Sequence, residues 1–362
     1  MTVLTVLTRE PPLNADQNLI AYRAKWICPV DQEPIEDGAV VVRGNRVVTV
    51  GRFHSIGGEA DKIVDLGVGA IIPGLVNAHT HLEFSDLEQP LGHPGIGFTD
   101  WIRLVVSSRS ESSTRPGKSE TIRAGLDEAF RSGTWVVGEI ATEPVTLDAY
   151  QISNGPSLLV FLEQLGSNPS KFHDQQKQLS QFVESESQFR KVSNVRCGIS
   201  PHAPYSVHPA LLKQMCALAM DQQKPVAMHV AETRDELELI EDRRGHFVEL
   251  LQGFGVWDPN PTETYQSILQ ILEQLSQAPR SLVVHGNYLK TSELEFIADH
   301  RAQMSVVFCP RTHQFFQHDP YPLTSLRRHK INVALGTDSR ASNPDLDLFA
   351  ESKLVARNFA GL

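Results

Sequence analysis

The chain has 362 residues, of which 41% are hydrophobic, and 33 Lys and Arg against 43 Asp and Glu give a formal net charge of −10. This length allows about two domains of ~150 residues each, or one large α/β barrel with an appendage, and it excludes a small disulfide-stapled fold. The acidic balance argues against nucleic acid or an anionic membrane surface as the main partner.

Cysteine usage and hydropathy predict a cytoplasmic protein. The four cysteines are widely spaced and form no C-x-x-C pair, which is typical of a reducing compartment. No apolar run approaches the ~18 residues of a membrane span, and the N-terminal residues do not have the pattern of a signal peptide.

The first part of the sequence is a series of short strand patterns. Gly44-Asn45 lies between two β-branched runs, which is a hairpin signal. We predict a small β-sandwich-like module over residues 1–72, with strands at 19–28, 39–42, 46–50, 63–66 and 70–72.

From residue 73 onward, brief apolar runs alternate with longer amphipathic stretches. The predicted strands are 75–78, 134–140, 157–162, 195–199, 225–229, 282–285, 304–308 and 333–335. The predicted helices are 120–131, 173–189, 209–222, 235–251, 264–277, 292–301 and 323–329. This alternation favours an α/β fold with a parallel sheet, and eight such units match a (β/α)8 TIM-type barrel over residues 73–362. Periodicity alone leaves a doubly wound open sheet as the alternative.

Polar residues follow these strands at their carboxyl ends, which in a barrel meet on one face. They are His79, His81, His202, His229, Glu232, His285, Arg311 and Asp338.

The sharpest local signal is the H-x-H pair of His79 and His81. In an extended segment residues i and i+2 point the same way, so both imidazoles can bind one metal ion from one side. The alternative for the pair alone is two surface or core histidines. With His229 and Asp338 at other strand ends, three imidazoles and one carboxylate suit Zn²⁺ or Fe²⁺ and leave a position for water.

Four motifs carry a resemblance to the amidohydrolase superfamily: PGLVNAHTH at 73–81, MHVAET at 228–233, VVHG at 283–286 and LGTDS at 335–339. The order of the motifs is similar to that in the branch of S-adenosylhomocysteine, adenosine-type and aminofutalosine deaminases and chlorotriazine hydrolases. HTHLEFS at 79–85, followed by Phe98-x-x-Trp101-Ile102, particularly resembles aminodeoxyfutalosine deaminases.

The resemblance implies one divalent metal ion, most readily Zn²⁺, held by His79, His81, His229 and Asp338. It places His285 and Glu232 in catalysis. Binuclear members have a bridging lysine or carboxylate after the fourth strand, where this chain has Ile-Ser-Pro-His at 199–202, so we expect a single ion. The resemblance also implies a small-molecule substrate and allows a homo-oligomer.

The expected reaction is hydrolytic deamination of an amino-purine nucleoside or derivative, aminodeoxyfutalosine among them. The metal lowers the pKa of its bound water, Asp338 takes the proton and His285 orients the nucleophile. Glu232 protonates the neighbouring ring nitrogen, and ammonia leaves. Burial would raise the pKa of Glu232, whereas the metal would lower it. Alternatives are a chlorohydrolase or another C–N hydrolase, and a non-catalytic metal- or ligand-binding barrel.

Each further candidate also has a structural interpretation. Glu232 could be a solvated acid at a helix start, and His285 a core histidine. PHAPY at 201–205 resembles the family segment whose histidine touches substrate, which implies a substrate contact for His202. Glu83 could bind sugar hydroxyls or support the metal site. Trp101 could stack on a base or pack on its helix, and Arg311 could pair with a substrate carboxylate or form a structural salt bridge.

The end of the sequence departs from the pattern that the resemblance implies. Members of the branch return strands to the N-terminal module after the last barrel helix. Here a single helical pattern at 346–359 follows Asp338, so we expect a β-module that lacks its C-terminal half.

Overall fold

Two units make up the protein. The computed structural model describes residues 18–110, 117–142, 145, 147–150, 155–189, 195–261 and 263–361. The chain divides after Leu75, and the second unit comprises Val76–Leu362. The predicted boundary lies after residue 72, and residues 1–17 of the predicted module lie outside the described residues.

The first unit is a five-stranded sheet. Its elements are β1 (Leu19–Ile27), β2 (Ile35–Arg43), β3 (Arg46–Arg52), the short helix α1 (Phe53–Ile56), β4 (Lys62–Asp65) and β5 (Ala70–Ile71). β1 pairs antiparallel with β2 and parallel with β4 and β5. The predicted hairpin joins β2 to β3, and Gly44 takes φ +58°, a left-handed conformation that favours glycine. Ala24, Ile27, Val40 and Val42 form the buried core of this sheet.

The second unit is an eight-stranded sheet whose strands follow one another in sequence order. They are β6 (Leu75–Thr80), β7 (Thr134–Ala141), β8 (Ser157–Gln164), β9 (Val195–Pro201), β10 (Val226–Val230), β11 (Ser281–His285), β12 (Met304–Phe308) and β13 (Val333–Leu335). From β7 onward each strand pairs in parallel with the next. The sheet therefore contains all eight predicted barrel strands.

The first and last strands of this sheet meet. A parallel bridge joins Thr80 to Asp338, and the Asp338 N–H donates to the His79 carbonyl at 3.1 Å. Gly336 lies so close that a Cβ there would be 2.9 Å from the His79 carbonyl oxygen. The sheet is thus nearly closed as a barrel, which confirms the predicted fold class and makes the open-sheet alternative wrong.

Helices surround the barrel strands. They are α2 (Phe98–Ser110), α3 (Lys118–Arg131), α4 (Phe172–Phe189), α5 (Pro209–Asp221), α6 (Arg234–Asp242), α7 (His246–Gly253), α8 (Ile268–Leu275), α9 (Thr291–Asp299), α10 (Pro310–Phe315), α11 (Leu323–Arg328) and α12 (Leu348–Asn358).

The prediction of one helix over 235–251 is wrong. Arg243 ends α6 at φ +52°, and Gly245 at φ +91° lies between α6 and α7. The helix predicted from residue 264 begins at Ile268, because the Ser267 hydroxyl caps it by accepting from the Gln270 N–H.

Side chains of the barrel strands alternate between two buried layers. Val283 and Val306 belong to the large cluster that also contains helix residues, whereas Val284 and Val307 belong to a small cluster inside the barrel. No helix in the described part of the chain is long and apolar enough to cross a membrane.

Candidate active site

The four predicted metal ligands converge where β6, β10 and β13 end. The Nε2 atoms of His81 and His229 are 3.3 Å apart. Asp338 Oδ1 is 3.6 Å from His79 Nε2 and 3.7 Å from His81 Nε2. A tetrahedral Zn²⁺ with bonds of ~2.0–2.1 Å holds neighbouring ligand atoms about 3.3 Å apart. These three separations are those expected between ligands of a single ion.

The ligand imidazoles have ring nitrogens available to a metal ion. Neither ring nitrogen of His79, nor Nδ1 of His81, has a hydrogen-bond partner among the described residues, although these atoms are buried. His229 Nδ1 donates to the His202 carbonyl at 2.8 Å, which leaves its Nε2 unprotonated for an ion. Burial lowers the pKa of His229 to about 3 and the pKa of His81 well below its ordinary value. Neutral imidazoles beside a carboxylate fit a divalent metal such as Zn²⁺ or Fe²⁺.

Asp338 also belongs to a second group, with Glu232 and His285. His285 Nε2 is 3.3 Å from Glu232 Oε1. Glu232 is only 5% exposed, and burial, together with the charges of Asp338 and Glu236, raises its pKa well above the ordinary value. The imidazoles of His79, His285 and His81 outweigh the effect of burial on Asp338 and hold its pKa below the usual range. One carboxyl group is therefore set up to hold a proton and its neighbour to be ionised.

Backbone strain marks the same strand ends. Ala231, His285 and Asp338 have φ values of +53°, +68° and +56°, in the left-handed region that non-glycine residues rarely adopt. Such residues cost about 1–3 kcal/mol each and concentrate at functional sites. Two of these strained residues, His285 and Asp338, belong to the second group, and the third, Ala231, directly precedes Glu232.

Glu236, which the sequence analysis did not single out, holds the backbone at Glu232. Its carboxylate oxygens accept the N–H groups of Ala231 and Glu232, each at 2.9 Å, while Thr233 Oγ1 accepts the Glu236 N–H at 3.1 Å. The T-x-x-E sequence at 233–236 is a capping-box pattern, which signals the cap by Thr233 but not the contacts of Glu236 with the N–H groups of Ala231 and Glu232.

His202 and Glu83, the two predicted substrate contacts, differ in how many of their polar atoms already have partners in the protein. His202 Nδ1 lies 2.6 Å from Ser206 Oγ, and its ring centroid is 5.3 Å from that of His229. Glu83 accepts from Arg109 at 2.6 Å through Oε1 and from Thr142 at 2.9 Å through Oε2. His202 therefore flanks the metal cluster, whereas both carboxylate oxygens of Glu83 already have partners.

Trp101 packs against its own helix and Arg311 forms salt bridges, as the structural interpretations of these two residues predict. Trp101 stacks on Phe98 with centroids 5.5 Å apart, and its indole N–H donates to the Ala341 carbonyl. Arg311 donates through Nε to Glu351 at 2.7 Å and through a terminal nitrogen to Asp345 at 2.6 Å. The proposed site therefore does not include either residue.

Arg311→Met is expected to lower the free energy of unfolding by about 3 kcal/mol, because it leaves the fully buried Glu351 without its ion-pair partner. Urea unfolding followed by circular dichroism measures this loss. The exposed Arg328→Met in α11 is the control and should change stability by less than ~0.5 kcal/mol. An Arg311 variant with unchanged stability and weakened binding of a carboxylate-bearing substrate would restore the substrate-binding interpretation.

A buried acid that the sequence analysis missed lies beside His202. Glu163, in β8, is 5% exposed, and a carboxylate oxygen of it lies within 4.8 Å of ring nitrogens of His202 and His229. Burial raises its pKa. Its only signal in the sequence is an acid placed directly after the apolar run predicted as strand 157–162.

Comparisons with known proteins agree with this architecture. The profile described as the amidohydrolase family matches residues 70–360. A 5-methylthioadenosine/S-adenosylhomocysteine deaminase of Pyrococcus horikoshii is 25% identical over 327 residues, covering 88% of this chain and 69% of that protein. An aminodeoxyfutalosine deaminase of Deinococcus radiodurans is 27% identical over 337 residues, covering 90% of this chain and 77% of that protein.

Among solved structures, the Helicobacter pylori aminofutalosine deaminase in complex with methylthio-coformycin is similar with a TM-score of 0.81. The alignment covers 96% of this chain and 83% of that one at 23% identity, so it demonstrates a shared fold.

Proposed function

This chain belongs to the amidohydrolase family, and from that premise we propose that it is a metal-dependent aminohydrolase that releases ammonia from a purine nucleoside derivative. The observation that carries the proposal is the Glu232–His285–Asp338 group beside the cluster of metal-type ligands. Relatives named as deaminases of adenosine-type nucleosides support the substrate class. Aminodeoxyfutalosine is the individual substrate that we put forward first.

His79, His81, His229 and Asp338 are the residues that would hold the ion. A divalent metal bound there would supply a Lewis acid, which lowers the pKa of a coordinated water from 15.7 towards about 7. Burial lowers the pKa of His229 to about 3 and that of His81 well below its ordinary value, so these two imidazoles do not need to lose a proton before they bind the ion.

Three side chains then act on the attacking water and on the substrate: two transfer protons and one orients the water. Asp338, ionised and buried, accepts a proton from the attacking water and passes it to the departing amine, which leaves as ammonia. His285, 3.3 Å from Glu232, orients that water towards the amine-bearing carbon. Glu232, whose pKa is raised by burial, donates a proton to the adjacent ring nitrogen and prevents charge from building up there.

Ammonia release from a panel of adenosine derivatives, aminodeoxyfutalosine included, tests the proposal. Chloride release from chlorotriazines is measured in parallel. Ammonia without chloride is the expected result. Chloride release alone would make the protein a dechlorinase, and inactivity of metal-loaded protein towards every compound would make it a binding barrel.

One metal ion per chain is the expected content of the purified protein. The group of Glu163, His202 and His229 could hold a second ion only by sharing His229, whose Nδ1 already donates to a carbonyl. Inductively coupled plasma mass spectrometry of dialysed protein measures the ratio. His202→Gln should keep it, because His202 is outside the proposed ligand set. Two ions per chain would contradict the single-ion site.

We also propose a cytoplasmic location. All four cysteines are free thiols, three of them buried, which suits a reducing compartment.

A further inference from the structure

Glu163 faces the interior of the barrel at its carboxyl end. Phe161, two residues earlier in β8, belongs to the inner cluster, and alternate residues of a strand share a face. In β10, His229 likewise lies two residues after Ala227, which belongs to the same cluster. The two side chains therefore point into the same space, and Glu163 is 5% exposed there.

The carboxyl group of Glu163 has an acceptor atom without a partner. Its Oε1 is buried and has no hydrogen-bond partner within the described ranges of the chain. A buried acceptor left in this state is destabilising. His202 lies beside it, with a ring nitrogen within 4.8 Å of a Glu163 carboxylate oxygen. A ligand that brings a hydrogen-bond donor to Glu163 Oε1 would remove this destabilisation.

The chemistry of a purine nucleoside limits which donor this can be. The ring nitrogens of a 9-substituted adenine only accept hydrogen bonds, so the available donors are the amino group and the sugar hydroxyls. The amino group must lie beside Glu232 and Asp338, where the reaction is proposed. Glu163 groups with His202 and His229, whereas Glu232 groups with His285 and Asp338, and no such group of described residues contains both glutamates. The two glutamates thus lie in different parts of the pocket, and sugar hydroxyls are the donors left for Glu163.

We infer that Glu163 binds the sugar hydroxyls of the substrate and makes the enzyme selective for ribosides. The inference rests on the proposed deaminase function. It assigns to Glu163 the role that the sequence pattern suggested for Glu83, because Arg109 and Thr142 already engage both carboxylate oxygens of Glu83.

The test combines a change in the enzyme with a change in the substrate. Glu163→Gln keeps the shape of the side chain and removes its charge, and Glu83→Gln is the matched variant. Adenosine and 2′,3′-dideoxyadenosine are the two substrates, or the riboside and dideoxyriboside of whichever adenine derivative the parent deaminates. We expect Glu163→Gln to lower kcat/KM for the riboside about 10- to 100-fold, mainly through KM, since hydrogen bonds to charged groups contribute ~1.5–3 kcal/mol. The dideoxyriboside should lose less than ~3-fold, and the metal content should stay at the parent value.

Each other outcome overturns the inference. Equal losses for both substrates would give Glu163 a structural role, and a hydroxyl-dependent loss in Glu83→Gln alone would return the sugar contact to Glu83. A parent enzyme that deaminates both substrates equally well would show that no hydroxyl is recognised. A parent that deaminates no nucleoside would instead overturn the proposed function, and the inference with it.

Discussion

Glu232→Gln is expected to lower kcat for deamination by about 10²- to 10⁴-fold, the usual contribution of a positioned general acid. Glutamine has the shape of the buried acid and keeps the backbone contacts to Glu236, but it has no proton to donate to the ring nitrogen. Because Glu232 is outside the proposed ligand set, the variant should retain its metal. Steady-state kinetics and metal analysis of the same preparation measure both quantities.

The control is Glu238→Gln in α6, where a half-buried carboxylate 3.3 Å from Arg244 loses its charge without affecting the proposed proton path. Its kcat should stay within about twofold of the parent, since surface pairs contribute little. Full activity in Glu232→Gln would remove Glu232 as the proton donor.

The same acid predicts one limb of the pH profile. Burial raises the pKa of Glu232, so activity that needs its proton is present below that raised pKa and falls as the pH rises through it. The profile of kcat/KM for the parent should therefore decline on the alkaline side. Glu232→Gln should lack that decline, and an unchanged limb in the variant would assign it to another group.

The barrel could be predicted because its signals are local. Each strand is a short apolar run, and the residues that carry chemistry follow those runs at the end where strands of a barrel converge. His79 and His81 needed only the two-residue period of a strand. The errors are local as well: Gly245 interrupts what reads as one amphipathic helix over 235–251, and Ser267 delays the next helix start.

Contacts between distant residues could not be predicted in the same way. The sequence around Arg311 does not indicate that Glu351, 40 residues later, will engage its guanidinium. Glu163 follows an apolar run as many solvated acids do. Only the closed barrel distinguishes it from them, because it places His202, directly after the neighbouring strand β9, and His229, in β10, beside it.

Asp338→Asn is expected to reduce activity at least as much as Glu232→Gln, because Asp338 has two proposed roles. As the proton acceptor it contributes up to ~10⁴-fold, and as an ionised ligand it contributes to metal affinity. Asparagine fits the space between His79 and His81, but it carries no charge and cannot take a proton at neutral pH. Dialysed Asp338→Asn should therefore retain less metal than the parent.

Assays of this variant in excess Zn²⁺ separate the two roles. If Asp338 acted only as a ligand, restored metal occupancy would restore kcat, whereas a proton acceptor would leave kcat low in the fully loaded enzyme. The control, Asp319→Asn, removes a half-exposed carboxylate that pairs with Arg234 and should behave as the parent does. Parent-like kcat and metal content in Asp338→Asn would contradict both assignments. The carboxylate that the strained turn at φ +56° presents would then have no use in the reaction.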